Sequence, residues 1–287
     1  MQIPRMQRQN QRTGKKKSSS YDIRLPGSML QVGNIQHSGN RRDQQDAFAF
    51  SNPSEAEFIE QKGILATVAD GMGGMEKGAE ASRAAVQAMI GAHEAWEGDT
   101  PVSEWMRRAI GRANRAVLEI AEEARLEGKV GTTLSVVLIY GNDICWISVG
   151  DSRIYLFRNG ELTQLTEDHV YARNLQEKVR KGEMGAEEAA QHPDRGLLTS
   201  YLGMPKLKHI DQNEHPIRLQ DEDQLMLCSD GLYEGLHREQ IHASLELAPQ
   251  AACNALLQQV VGRADKHQDN VTVMVLGYEQ DREHPSE

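Results

Sequence analysis

Only three cysteines, Cys145, Cys228 and Cys253, occur in the 287 residues. Their small number and wide spacing exclude a disulfide framework. Cys145 and Cys228 lie in apolar runs, which marks them as small core residues. A reducing, cytoplasmic setting is the expected compartment. Long apolar runs are missing as well. None approaches the roughly 18 consecutive apolar residues of a membrane-spanning helix, and the first 20 residues hold no apolar stretch of a secretory leader. Neither Cys-x-x-Cys nor His-x-x-His spacing occurs, so a zinc site is not expected. Basic residues are the scarcer charge, 32 against 42 acidic, for a net charge of −10. Six of the bases fall in residues 1–20, where there is no acid, so residues 21–287 carry −16. A body that acidic argues against nucleic-acid binding. The basic stretch reads as a disordered, solvated tail over residues 1–22, with docking to nucleic acid or an acidic partner as the lesser reading. One domain is expected over 23–280, followed by a short polar tail at 281–287.

Val-, Ile- and Leu-rich segments predict strands over 29–35, 47–50, 64–69, 133–140, 143–149, 153–158, 208–219, 223–228 and 271–276. The turns at 141–143 and 158–160 are too short for a crossover, so the strands they join are antiparallel. Apolar residues at 3–4 spacing predict helices over 78–97, 102–125 and 249–264, with Trp96 and Trp105 as core anchors. Helices come in blocks and strands in runs, which predicts an α+β protein of antiparallel sheets covered by helices. Residues 166–203 are polar, helix-forming and dotted with glycine. They read as a flap over something, or as a plain helical insertion.

Four aspartates repeat one pattern. Asp70 closes "ILATVAD", Asp151 follows "ICWISVG", Asp230 follows "QLMLCS", and Asp269 precedes "NVTVMVL". Each lies at the end of a predicted core strand, where an isolated charge is costly. Any one of them alone could be a turn-former. If the strand ends converge, each pair repels by on the order of 4 kcal/mol at about 4 Å and an effective dielectric near 20. Arg153 and Lys266 are the only bases close by in sequence, so divalent cations are the expected remedy. An all-oxygen ligand set favours Mg²⁺ or Mn²⁺ over Zn²⁺, and the wide spacing disfavours a calcium loop. The glycines of "VADGMGG" (68–74) are not spaced as in a phosphate-cradling loop. They let the chain turn sharply after Asp70.

The ordered set "GNRRDQQDAF" (39–48), "VADGMGG" (68–74), "GTTLSVV" (131–137), "VGDSRIYLFRNGELTQLTEDH" (149–169), "LLTSYLG" (197–203), "LCSDGLYEGL" (227–236) and "DNVTVMVL" (269–276) resembles the metal-dependent protein phosphatases, the protein phosphatase 2C family, in their stand-alone bacterial form. The resemblance implies a four-layer α-β-β-α sandwich, two antiparallel sheets flanked by helices, with metals in a channel at one end. It implies hydrolysis of phosphoserine and phosphothreonine in proteins by a metal-bridged hydroxide, with two or three Mg²⁺ or Mn²⁺ ions per chain. By motif position Asp70 bridges two metals, the Gly71 carbonyl binds one, and Asp230 and Asp269 complete the primary site. Asp46 holds metal-bound water, Asp151 serves a third and weaker site, and Arg41 grips the substrate phosphate, with Arg42 as its rival. Asn270 orients or caps. The implied partner is a phosphoprotein, in opposition to a Ser/Thr kinase, with no nucleic acid and a monomeric chain.

The sequence departs from the family pattern at three places. Met72 stands where many members have a histidine proposed as the leaving-group acid, and a thioether donates no proton. Gln44-Gln45-Asp46 replaces a more acidic or Asn-containing triplet. Ser200 replaces a basic residue in "LTSYLG". His37, His169 and His192 read as surface or hydrogen-bonded structural residues. A phosphoprotein-binding module without turnover and a diester hydrolase are the competing readings.

Overall fold

Alternating apolar residues along the strands set the layers of this protein. The structure, a computed structural model, describes residues 17–51, 56–72 and 75–281. The chain starts with β1 (Lys17–Leu25), β2 (Ser28–His37), β3 (Asp46–Phe50), α1 (Ala56–Lys62) and β4 (Ile64–Asp70). Two long helices follow, α2 (Gly78–Glu94) and α3 (Val102–Ala124), then β5 (Leu134–Tyr140), β6 (Asp143–Val149), β7 (Arg153–Arg158) and β8 (Glu161–Gln164). After them come α4 (Tyr171–Arg180), α5 (Ala186–Ala190), β9 (Asp211–Gln212), β10 (Ile217–Arg218) and β11 (Gln224–Cys228). The chain finishes with α6 (Asp230–Tyr233), α7 (Arg238–Leu245), α8 (Pro249–Gly262) and β12 (Val271–Gln280).

The strands form two sheets, β1-β2-β12-β11-β7-β8 and β10-β6-β5-β4-β3, with β9 also paired to β6. Every pairing is antiparallel. Between the sheets lies a core built from Leu30, Ile64, Ala66, Val68, Val137, Ile139, Met274 and Leu276. The opposite faces carry the helices. Leu65, Ala69, Val136 and Leu138 pack under α2 and α3, whose small Ala81, Ala85, Ala109 and Ala113 let the two helices close together. Val271, Val273 and Val275 pack under α7 and α8. The result is the four-layer α-β-β-α sandwich. Gly33 lets α8 lie directly on β2, since a Cβ there would stand 2.5 Å from the Gln250 amide.

The expected core residues behave as read. Trp96 and Trp105 are buried and stack at 5.1 Å between ring centroids. All three thiols are free and buried, and burial pushes Cys145 up to about 11 and Cys228 and Cys253 up to about 12. The turn at 158–161 has Asn159 and Gly160 both at positive φ, 51° and 74°, the geometry that matches the twist of a two-residue hairpin.

Three local differences have physical causes. No strand was expected before residue 29, yet β1 starts at Lys17, inside the expected tail, because the free edge of β2 offers a ladder that draws a serine-rich segment into register. Residues 1–16 and 282–287, the bulk of the two expected tails, lie outside the described residues. The predicted strand over 208–219 breaks into β9 and β10, because Asn213 takes over the pairing. Its Oδ1 accepts from the Trp146 amide at 2.8 Å and its amide donates to the His215 carbonyl at 2.8 Å, just before Pro216. The segment 166–203 is helical over α4 and α5, as its composition suggested. No helix of the described residues is long and apolar enough to cross a membrane.

Trp105→Ala removes one partner of the buried stack and is expected to cost about 3–5 kcal/mol of unfolding free energy. The measurement is a lower urea midpoint at an unchanged m-value.

Candidate active site

At one end of the sandwich the alternating apolar pattern stops and carboxylates take its place. In β4 the residues facing the other sheet are Ile64, Ala66 and Val68, and the next in phase is Asp70. Directly opposite it in β3 stands Asp46. Like charges facing each other across a strand pair destabilise a sheet. Asp230 follows the end of β11, Asp269 precedes the start of β12, and Asp151 follows the end of β6, all at this same mouth.

Asp46 fastens the sheets together here. Its Oδ2 accepts from Ser229 Oγ at 2.8 Å, just past the end of β11, and from Thr272 Oγ1 at 2.7 Å, in β12 of the other sheet. Its Oδ1 is buried with no partner, and so is Asp230 Oδ1. Burial raises the carboxyl of Asp46 to about 7 against these hydroxyl donors. Burial, then the charges of Asp46, Asp230 and Asp151, raise Asp70 well above the carboxylate range. The charges of these neighbouring acids tie their titrations together. Asp230 is raised by burial and by Asp269. Asp151 is raised to about 8 by burial, Asp230 and Asp168. Two buried carboxylate oxygens without partners, beside acids that burial and like charge push upward, form a donor set that fits a cation.

Backbone geometry supports the same place. The Asp70 carbonyl accepts from the Thr133 amide at 2.8 Å and Thr132 Oγ1 at 2.7 Å, and the Asp70 amide donates to Thr133 Oγ1 at 2.9 Å. Gly71 donates to the Gln45 carbonyl at 3.1 Å, and its own carbonyl accepts no hydrogen bond among the described residues. A Cβ on Gly71 would stand 2.3 Å from the Gly78 carbonyl oxygen, so only glycine fits. Among the described residues no three His, Cys, Asp or Glu side chains are grouped to hold an ion by themselves.

Arg41 lies at the mouth. Its Nη2 donates to Asp269 Oδ2 at 2.8 Å, joining two predicted site residues in a half-exposed ion pair. Arg42 is exposed and pairs with no described acid. Asn270 caps, as expected. Its Oδ1 accepts from the Gln45 amide at 2.7 Å and its Nδ2 donates to the carbonyls of Ser38 and Asp43. It thereby shapes the loop that carries Arg41. Ser200 is buried and clamps the backbone of His209 from both sides, at 2.8 and 3.1 Å. His37 and His192 each accept a nearby amide through Nδ1. Four residues of the site had no expectation attached: Thr133, Ser152, Ser229 and Thr272. Only Thr272 lies within a strand and the other three sit just beyond strand ends, so nothing in the sequence set them apart.

The family model described as protein phosphatase 2C matches residues 35–268. The chain belongs to the protein phosphatase 2C family. Members of this family are metal-dependent protein serine/threonine phosphatases, and the chain is an enzyme of that class. It is 31% identical over 218 residues to the serine/threonine phosphatase stp of Listeria welshimeri, covering 74% of this chain and 83% of that protein. The crystal structure of the Mycobacterium tuberculosis serine/threonine phosphatase PstP/Ppp superposes with a TM-score of 0.71 at 30% identity, over 88% of this chain and 99% of that one. A structure of the PstP catalytic domain in complex with two manganese ions is similar at 25% identity and a TM-score of 0.62, over 93% of this chain and 98% of that one.

Without cations, Asp46 and Asp151 keep their protons in the folded state up to about pH 7 and about pH 8, against about 3.9 unfolded. The folded state binds the extra protons across this window. The contribution of these groups to stability is therefore full below about pH 4 and lost as pH rises through about 8. Cations compete with the same protons. The gain in melting temperature on adding Mn²⁺ to EDTA-treated protein is expected to grow between about pH 5 and 8. A gain that is flat across that range would count against a carboxylate centre.

Proposed function

We propose that the chain removes phosphoryl groups from phosphoserine and phosphothreonine in proteins. It would do so with two or three Mg²⁺ or Mn²⁺ ions held by Asp70, the Gly71 carbonyl, Asp230 and Asp269, with Asp151 serving a third. The observation that carries this reading is the Asp46–Asp70–Asp230 cluster, whose buried oxygens at Asp46 and Asp230 have no partner. When bound, the ions supply a water of lowered pKa and charge to offset the phosphoryl oxygens.

The rest falls to side chains. Asp46 has one oxygen fixed by Ser229 and Thr272, which leaves the other aimed at the cluster to accept from a water and orient it. Arg41 suits a phosphoryl group through its planar two-pronged donor set. Its ion pair with Asp269 is half exposed, worth about 0–1 kcal/mol, so little is lost when the guanidinium turns to substrate. No thiol serves as nucleophile, since all three are buried and held protonated. Met72 donates its amide to the Gly131 carbonyl but has no proton to give a leaving alkoxide, so that proton comes from solvent or another group at the mouth. The partner is a phosphoprotein, made by an opposing Ser/Thr kinase, met by a monomeric enzyme inside the cell.

The test is hydrolysis of p-nitrophenyl phosphate and of a phosphothreonine peptide with Mn²⁺ or with EDTA. Asp70→Asn and Asp230→Asn are each expected to lower kcat by about 10²–10³-fold. Activity that survives EDTA would sink the reading, and Mn²⁺ binding without turnover would favour a phosphoprotein-binding module. Met72→Leu is expected to leave kcat on the peptide within about twofold, since a thioether takes no part in proton transfer.

A further inference from the structure

His169 is buried in a way its sequence context does not explain. It is 2% exposed, it precedes α4, and it touches none of the carboxylates assigned above. Its Nδ1 accepts from the Gly150 amide at 3.1 Å, while its own amide donates to the Gly150 carbonyl at 2.9 Å. One residue thus holds both polar backbone groups of the residue before Asp151. For Nδ1 to accept, the ring is neutral with its proton on Nε2, and burial keeps it neutral by lowering it to about 4.

Gly150 has little freedom on its other side. Its φ is +109°, and a Cβ there would stand 2.6 Å from Thr133 Cγ2. Thr133 Oγ1 is in turn bonded to the Asp70 amide at 2.9 Å and to Ser152 Oγ at 2.7 Å. The turn carrying Asp151 is therefore gripped from two directions, by Thr133 from the Asp70 side and by His169 from the α4–α5 side. The grip continues outward. The His169 carbonyl accepts from the Thr199 amide at 2.7 Å, Val170 bridges to Leu198, and the ring lies 5.7 Å from that of His209, whose backbone Ser200 clamps. Both ends of the α4–α5 segment are pinned beside predicted metal ligands: His169 next to Asp151, and Leu202 paired through Thr132 to Gly71.

We propose that His169 is a positioning residue. Its Nδ1 fixes the Gly150 amide, so that the root of the α4–α5 segment and the carboxylate of Asp151 hold one geometry. His169 makes no contact with substrate. It acts through Gly150, and its chemical requirement is an acceptor at the place of Nδ1. The part of this inference that concerns metal rests on the reading of Asp151 under the proposed function.

The test uses the full chain and three substitutions. His169→Asn keeps an acceptor where Nδ1 stands, His169→Gln places it one atom further out, and His169→Leu removes it. Backbone amide exchange over 149–153 is followed in metal-free protein, and Mn²⁺ binding is followed by calorimetry, with Asp151→Asn alongside. His169→Asn is expected to stay within about twofold of the parent in both readouts. His169→Gln and His169→Leu are expected to exchange the 150–152 amides about 10-fold faster and to weaken the weakest Mn²⁺ event about 10-fold, as outer-shell partners of metal ligands do. The Asn and Gln variants are alike in polarity, so that pair carries the test if the Leu variant does not fold. Equal exchange in the Asn and Gln variants overturns the proposal. Faster exchange in the Gln variant alone, with Asp151→Asn leaving calorimetry unchanged, upholds the role of His169 and removes Asp151 from the metal set.

Discussion

Mutual repulsion of carboxylates at one end of the sandwich is the constraint around which this molecule is arranged. Asp46 and Asp70 face each other across a strand pair, and the charge of Asp230 adds to the repulsion on Asp70. Without compensation this would open the sheets where they meet. The protein answers with hydroxyls rather than bases. Ser229 and Thr272 hold Asp46 across the gap between sheets, and Thr132 and Thr133 hold the backbone of Asp70. A hydroxyl lends a proton without cancelling the charge, so the cluster stays attractive to a cation. A lysine in the same place would have satisfied the acids permanently.

Much of this was legible in the sequence because apolar runs end there in aspartate. Apolar runs marked the core strands, and an aspartate closing such a run, as Asp70 closes ILATVAD, stands out against it. The same logic exposed Asp230 and Asp269 as neighbours of core strands. The ordered motifs added the roles, which spacing alone does not give. Arg41 was legible only by motif position, and its ion pair with Asp269 depends on a loop shaped by Asn270 from a distant part of the chain.

The hidden part has a common cause. Ser and Thr suit strands or turns for reasons unrelated to function, so Thr133, Ser229 and Thr272 leave no contrast in a single sequence. The serine-rich start of β1 is hidden for the same reason, since its strand character is imposed by the edge of β2 rather than by propensity. The break between β9 and β10 depends on Asn213 reaching Trp146, a contact between distant positions. Local preference decided the long helices and central strands, and tertiary pairing decided the edges.

The burial of the three cysteines has a bearing on redox chemistry. Oxidants act on thiolates, and thiols held protonated inside the core offer none. Cys228 ends the very strand that leads to Asp230, yet it faces the helices rather than the mouth. A burst of peroxide that would silence a phosphatase working through a cysteine nucleophile has no equivalent target here. The three thiols of this chain therefore offer thiol-based redox signalling little to act on.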